Sequence, residues 1–172
     1  MAKPLVFISY KHNDPWARLA KRFHLRLAPM AGALGYSVFL DKEDIKGGDV
    51  WRKEIQDKLT ETTHFVAFLC DEYWQSTECR KELDFALSGF RKSRTPKLLF
   101  VLAERMKPEY LIFDESERAG EVVKAVGDLQ FLGPFDDQHR LVRLEWNDAA
   151  RLSDQMAELA DGFIATLPSS DE

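Results

Sequence analysis

The sequence predicts an α/β protein with a largely parallel sheet, and two observations lead to this prediction. Short apolar runs of strand length alternate along the chain with segments whose apolar residues recur at helical spacing. Such alternation is typical of parallel strands joined by right-handed helical crossovers. The runs are also rich in β-branched and aromatic residues, as buried strands are. They are Leu5–Ser9, Tyr36–Leu40, Phe65–Cys70 and Leu98–Ala103.

The segments between these runs are expected to be helices. The first should begin at Asp14-Pro15, where aspartate caps the helix and proline takes the first helical position. The others should begin after Gly47-Gly48-Asp49, at a Ser76 cap and near Asp148. Helical spacing then predicts their inward faces. These are Trp16, Leu19, Phe23, Leu27 and Met30; Trp51, Ile55 and Leu59; Cys79, Leu83, Ala86 and Phe90; and Leu152, Met156, Leu159 and Phe163.

The stretch between residues 104 and 140 gives the weakest structural signal. It is charged, contains two prolines and predicts at most one short helix near Glu121–Val126. Beyond it, Leu141–Trp146 alternates between apolar and polar residues, which predicts a fifth strand at an edge of the sheet. Residues 1–167 are expected to form one domain, followed by a frayed tail at 168–172.

Composition and charge restrict the possible functions. The hydrophobic fraction of 45% and the charged fraction of 31% are typical of a soluble globular domain. No apolar run approaches the roughly 20 residues of a membrane span, and no signal-peptide pattern precedes the first strand. With a net charge of −5 and no basic stripe, a nucleic-acid partner is not expected. The two cysteines are too few for a disulfide framework, and the histidines lack metal-ligand spacing. We therefore expect a cytoplasmic protein without a metal.

The segments that follow the four strands should meet at one edge of the sheet. Ligands of open parallel sheets bind at this edge, which we call the rim. The rim segments are polar, aromatic and partly glycine-rich, which favours a ligand cleft there. They are Tyr10–Asp14, Asp41–Gly48, Asp71–Ser76 and Glu104–Lys107.

Glu82 is the most informative single residue of this arrangement. On the predicted helix it lies beside Leu83 and one turn from Cys79 and Ala86, so it borders the buried face. A carboxylate at the edge of a core needs a partner or a function. Periodicity alone favours an ion pair with a neighbouring lysine or arginine on a solvated helix edge. The choice between these readings depends on the motif around Glu82.

Three segments resemble, in order, the sequence boxes of TIR (Toll/interleukin receptor) domains. The resemblance covers about residues 4 to 103. It implies a flavodoxin-like three-layer sandwich, with a five-stranded, mostly parallel sheet and helices on both faces. The matching residues are Phe7–Lys11 with Asp14; Val38–Asp41 with Asp44, Ile45, Gly48 and Trp51; and Tyr73, Ser76, Cys79, Glu82 and Leu83.

The resemblance implies two possible functions. Many TIR domains, particularly bacterial and plant ones, cleave NAD at the nicotinamide–ribose bond as NAD glycohydrolases or ADP-ribosyl cyclases. The favoured reading is such an enzyme in prokaryotic immune or defence signalling, with NAD as substrate and no permanently bound cofactor. Animal receptor and adaptor TIR domains mostly act as scaffolds. The alternative is therefore an interaction module whose loop Asp41–Gly48 docks another TIR domain, and self-association through this loop is expected in either case.

The resemblance also assigns roles to individual residues. Glu82 is implied as the catalytic carboxylate near the ribose. The residues implied to hold NAD lie on the rim: Ser9, Tyr10, Lys11, Asp41, Gly48, Tyr73, Trp74 and Cys79. Among them, Lys11 or its neighbour His12 could meet the pyrophosphate, and Tyr73 or Trp74 could stack on a ring. Cys79 also fits a small buried apolar residue.

One position departs from the pattern of the enzymatic members. Many of them carry tryptophan four residues before the catalytic glutamate, where this chain has Glu78. Trp74, one turn earlier, is the candidate substitute for the missing ring. Glu78 itself suits the first turn of a helix, where the helix dipole favours an acid.

Overall fold

The computed structural model of the protein describes residues 3–40, 48–104 and 130–168. Strands and helices alternate through these residues, as predicted from the apolar runs. In chain order the described elements are β1 (Leu5–Ser9), α1 (Trp16–Ala33), β2 (Ser37–Leu40), α2 (Gly48–Glu61), β3 (Thr62–Leu69), α3 (Asp71–Gln75), α4 (Thr77–Ser93), β4 (Lys97–Leu102), β5 (Gln130–Gly133) and α5 (Ala149–Ala165).

The five strands form one parallel sheet in the order β2-β1-β3-β4-β5. Helices cover both faces: α1 packs against α5, and α2 packs against α4. Alternate residues of β3 show the two layers, because side chains of a strand point to opposite faces in turn. Phe68 meets Phe23 of α1, whereas Phe65 stacks on Phe7 of β1 on the other face. The predicted α/β three-layer fold is confirmed.

Helix termini agree with the sequence in two cases and differ in one. Ser76 caps α4 by accepting from the backbone N–H of Cys79, and Asp148 caps α5 by accepting from that of Arg151. Helix α1 begins at Trp16, with Pro15 as its N-cap and no side-chain cap, so the predicted Asp14 cap is wrong. The short helix α3 was not predicted, because its five residues are too few to show a periodic pattern.

The predicted helix faces are largely confirmed among the described side chains. Most of their members are buried, but Met30 and Phe90 are only half-buried. The Trp51 side chain and the possible helix at Glu121–Val126 lie outside the described part. No helix among the described residues is both long and apolar enough to cross a membrane.

The fifth strand lies at Gln130–Gly133, so its prediction at Leu141–Trp146 is wrong. The alternating pattern of the later segment instead reflects the burial of Leu144, whose backbone N–H donates to Leu102. The buried side chain of Gln155 in α5 satisfies the neighbouring backbone. Its Oε1 accepts from the N–H of Glu145 at 2.8 Å, and its Nε2 donates to the carbonyl of Arg143 at 3.2 Å. A side chain therefore replaces the strand partner that the pattern predicted.

His64 of β3 should make the stability of the fold sensitive to acid. Its ring packs edge-on against Tyr36 and Phe163. Burial, with a smaller contribution from the charge of Lys97, lowers the pKa of His64 from 6.5 to about 4. Below pH 6.5 the unfolded chain therefore binds a proton that the folded chain does not, so stability falls as the pH drops towards 4. After discounting for solvent screening of the partly exposed ring, the loss is about 1–2 kcal/mol.

Urea unfolding at pH 7 and pH 4.5 tests this expectation in wild type and His64→Phe. Carboxylates that titrate in the same interval affect both proteins, so the difference between the two losses isolates His64. The variant is expected to lose less stability than wild type. Equal losses would show that His64 does not contribute.

Candidate active site

Glu82 lies on α4 at the rim, with its side chain directed to the end of β1. Only 6% of the residue is exposed. Ser9, the last residue of β1, donates from its hydroxyl to Glu82 Oε1 at 3.3 Å. A carboxylate is thus held inside the carboxyl edge of the central strands, where the α/β topology places ligand sites.

A second buried hydroxyl extends this contact. The Tyr73 hydroxyl on α3 lies 2.9 Å from Ser9 Oγ, and both residues are fully buried. Burial raises the pKa of Tyr73 well above its usual value, and the nearby Cys79 and Glu82 add to the effect. The phenol is therefore neutral at physiological pH and can serve as a hydrogen-bond donor. Side chains from three elements form one buried group, which we call the Tyr73–Ser9–Glu82 chain.

Cys79 ties the first turn of α4 to the chain segment after β1. Its thiol donates to the carbonyl oxygen of Tyr10 at 3.4 Å, and both residues are buried. The Tyr10 ring in turn lies 4.5 Å, centroid to centroid, from the ring of His12. The other cysteine, Cys70, is also buried, which raises the pKa of its thiol to about 12. A thiol with that pKa is protonated at neutral pH and is a poor nucleophile, so Cys70 is not a candidate catalytic residue.

A cleft of about 330 Å³ opens between α2 and α4 beside Glu82. Glu82 therefore borders both the solvent-accessible cleft, which it lines, and the protein interior, where it contacts the buried Ser9. The cleft is lined by Ile55, Gln56, Leu59, Glu78, Lys81, Glu82 and Phe85.

Sequence reasoning missed three polar or aromatic residues of this cleft: Gln56, Lys81 and Phe85. Phe85 is a large apolar side chain with 44% of its surface exposed. It lies three residues after Glu82, outside the buried stripe of α4. An aromatic residue at a position that helical spacing predicts to be exposed was the sequence signal that could have identified it. Lys81 brings positive charge and approaches the carboxylate of Glu78 at 3.9 Å. Glu78 thus has a cationic neighbour on the helix surface.

The rim places most of the predicted site residues near one another. Lys11 and His12 are half-buried in the segment after β1. The adjoining Asn13 donates from its side-chain amide to Glu72 at 2.8 Å, which links this segment to α3. Trp74 is 8% exposed and packs edge-on against Tyr73. Because protein covers both rings, their role in stacking on a ligand stays a prediction.

The loop proposed for partner docking is largely beyond the described residues. Asp41 falls in the interval 41–47, which the structure does not describe, and Gly48 is the first residue of α2. Helix α2, which begins at Gly48, also forms one wall of the cleft, opposite α4. Among residues 3–40, 48–104 and 130–168, no group of three or more His, Cys, Asp or Glu side chains is arranged to hold a metal.

The parallel sheet, its strand order and the cleft beside Glu82 define a flavodoxin-like α/β domain. A family model described as "TIR domain" matches residues 6–160. The chain belongs to the TIR domain family, and the resemblance seen in its three boxes is confirmed.

Solved structures include similar chains, and 18 of them match. One comprises the TIR domains in the structure of the activated Roq1 resistosome directly recognizing the pathogen effector XopQ. It is 21% identical, with a TM-score of 0.47, and the match covers 92% of this chain and 84% of that one. No curated protein gives a significant match.

Proposed function

We propose that the protein cleaves NAD at the bond between nicotinamide and ribose, with Glu82 as the catalytic carboxylate. The observation that carries this proposal is the position of Glu82. It is almost fully buried at the rim, accepts from Ser9 and lines a cleft. Membership of a family that includes NAD-cleaving enzymes supports it further.

The chemistry requires little more than a well-placed carboxylate. Nicotinamide leaves as a neutral base from a cationic ring, so no general acid has to protonate it. The ribose develops oxocarbenium character, as in glycoside cleavage. A carboxylate beside it orients the ribose hydroxyls and stabilises the growing positive charge, most effectively where water is excluded. Glu82 combines burial with access to the cleft, and a water or a second nucleophile then completes the reaction to ADP-ribose or a cyclic relative.

The remaining lining suits the nicotinamide mononucleotide half of the substrate. A volume of about 330 Å³ lies at the lower end of the roughly 300–1,000 Å³ range of small-molecule pockets. Lys81 at its edge can pair with a phosphate, and Phe85 offers an exposed aromatic face. The rim residues Tyr10 and Lys11 would extend the site towards the rest of NAD.

Phe85→Ala is expected to weaken NAD binding without altering the chemical step. Loss of an aromatic face should raise KM about fivefold with little change in kcat, since stacking is worth about 1 kcal/mol. Initial rates over a range of NAD concentrations separate the two constants. Leu25→Ala is the matched control, because Leu25 is 72% exposed on α1 on the other face of the sheet. A KM equal to that of wild type would exclude Phe85 from the substrate site.

Nicotinamide release tests the proposed function directly. Concentrated protein is incubated with NAD and the products are separated by chromatography; nicotinamide and an ADP-ribose-type product are expected. The rate per protein molecule should rise with concentration, because we expect the enzyme to self-associate through the loop Asp41–Gly48. The role we propose for this activity is defence signalling.

If NAD is not consumed at any protein concentration, the proposal that the protein is an NAD-cleaving enzyme is contradicted. If such an inactive protein also self-associated, and substitution of Ile45 or Gly48 abolished the association, the chain would be an interaction module.

A further inference from the structure

The direction of the hydrogen bonds in the Tyr73–Ser9–Glu82 chain follows from counting protons. An ionised carboxylate only accepts hydrogen bonds, so Ser9 donates its single hydroxyl proton to Glu82. That proton is then unavailable for the contact with Tyr73 at 2.9 Å. Tyr73 must therefore be the donor to Ser9 whenever Glu82 is ionised. Both donors are fully buried, so water does not compete with them.

We propose that Tyr73 is a positioning residue, which acts through Ser9 to aim a hydroxyl proton at Glu82 and so keep this carboxylate ionised and oriented. The inference rests on the proposed function, because it concerns how the carboxylate of that site is held. Donation from Tyr73 polarises the Ser9 hydroxyl, and linked hydrogen bonds of this kind strengthen one another. The effect matters here because the Ser9–Glu82 contact is long, at 3.3 Å, compared with typical O–H···O bonds.

The Tyr73–Ser9–Glu82 chain also connects three different secondary-structure elements. Ser9 ends β1, Tyr73 lies on the short helix α3 and Glu82 lies on α4. A partner on α4 itself would fix Glu82 only relative to its own helix. Ser9 instead links Glu82 to the end of the central strand β1. Tyr73 does not line the cleft, so its proposed contribution to the reaction runs through Ser9.

Other groups that face Glu82 stay the same in the proposed test. On α4 the charged side chains of the cleft are Glu78 and Lys81. On the buried side, Tyr73 interacts electrostatically with both Glu82 and Cys79. Among the side chains that the structure describes, helix α2 contributes uncharged lining residues. They are Ile55, Gln56 and Leu59.

Titration of the Glu82 carboxyl by NMR tests the inference without requiring turnover. Full-length protein labelled with carbon-13 at the glutamate side-chain carboxyl is compared among variants, and loss of the signal in Glu82→Gln assigns the resonance. Removal of a donor to the ionised form raises the titration midpoint. Ser9→Ala is expected to raise it by about one pH unit, and Tyr73→Phe by about half a unit.

The double variant distinguishes a relay from a merely structural role. If Tyr73 acts through Ser9, Tyr73→Phe should cause no further shift when Ser9 is already alanine, because coupled residues are not additive. Tyr36→Phe, the same atomic change away from the site, should leave the midpoint in place. An equal Tyr73→Phe shift in both backgrounds, or no shift in either, would overturn the proposal. If Tyr73→Phe fails to fold, an unchanged midpoint in Ser9→Ala would overturn it equally.

Kinetics separate this inference from the proposed function. In an active enzyme, the acid limb of the kcat profile should move to higher pH with the NMR midpoint, while KM stays nearly constant. If the Glu82→Gln variant releases nicotinamide as fast as wild type, the proposed function fails. The titration still decides whether Tyr73 and Ser9 control the carboxyl.

Discussion

Glu82→Gln is expected to lower the kcat of nicotinamide release by at least about 100-fold. Preorganised charge at a developing cation typically contributes a factor of this size or more. Glutamine has the same shape, and its side-chain oxygen can still accept from Ser9, so the fold and the cleft should be preserved. What is lost is the negative charge beside the ribose. Steady-state rates measured with NAD at saturation report this loss.

Glu158→Gln is the matched control for the loss of charge. Glu158 is exposed on α5, which packs with α1 on the opposite face of the sheet from α4. The same chemical change is made there, and the net charge of the protein changes equally. The control should retain nearly all activity. A similar fall in both variants would mean that overall charge, rather than the site, is responsible.

Phe65→Ala is expected to cost about 3–5 kcal/mol of the free energy of unfolding. Phe65 is fully buried on the central strand β3, and its ring stacks on Phe7 at a centroid distance of 5.7 Å. Its removal leaves a cavity that a sheet paired on both sides of β3 cannot close. Urea unfolding followed by circular dichroism measures the loss.

Phe85→Ala deletes the same atoms from an exposed position and supplies the comparison. Since 44% of Phe85 is already exposed, its removal should cost less than about 1 kcal/mol. Comparable losses at the two positions would contradict the assignment of Phe65 to the centre of the core.

The alternation of strands and helices was predictable because strands and helices place their apolar residues at different spacings. Runs such as Leu5–Ile8 are buried on both faces and therefore apolar at every position, which distinguishes them from the helices. The fifth strand was not predictable in the same way. Gln130–Gly133 has only two large apolar residues, Phe131 and Leu132, which are too few to show a pattern. The alternation at Leu141–Trp146 accompanies the burial of Leu144, and Leu141 forms an isolated bridge with Phe135 rather than part of a strand. Local periodicity records which side chains are buried, but not which backbone groups are paired.

In the candidate site, too, residues marked by a local sequence pattern could be predicted, whereas contacts between distant segments could not. Glu82 could be placed at the rim from its motif and from helical spacing alone. In the Tyr73–Ser9–Glu82 chain, Tyr73 and Ser9 are 64 positions apart in the sequence, and no local pattern connects them. Phe85 entered the site only when α2 and α4 were seen to enclose a cleft. Contacts between distant segments therefore accounted for what the sequence did not reveal.

The ratio of two nicotinamide-release rates tests the central claim most directly. Wild type and Glu82→Gln are incubated with NAD at the same high protein concentration, after circular dichroism has shown that both are folded. We expect rapid release by wild type and a rate at least about 100-fold lower for the variant. Equal rates, or no release by the folded wild type at any concentration, would contradict the assignment of Glu82 as the catalytic carboxylate of an NAD-cleaving TIR domain.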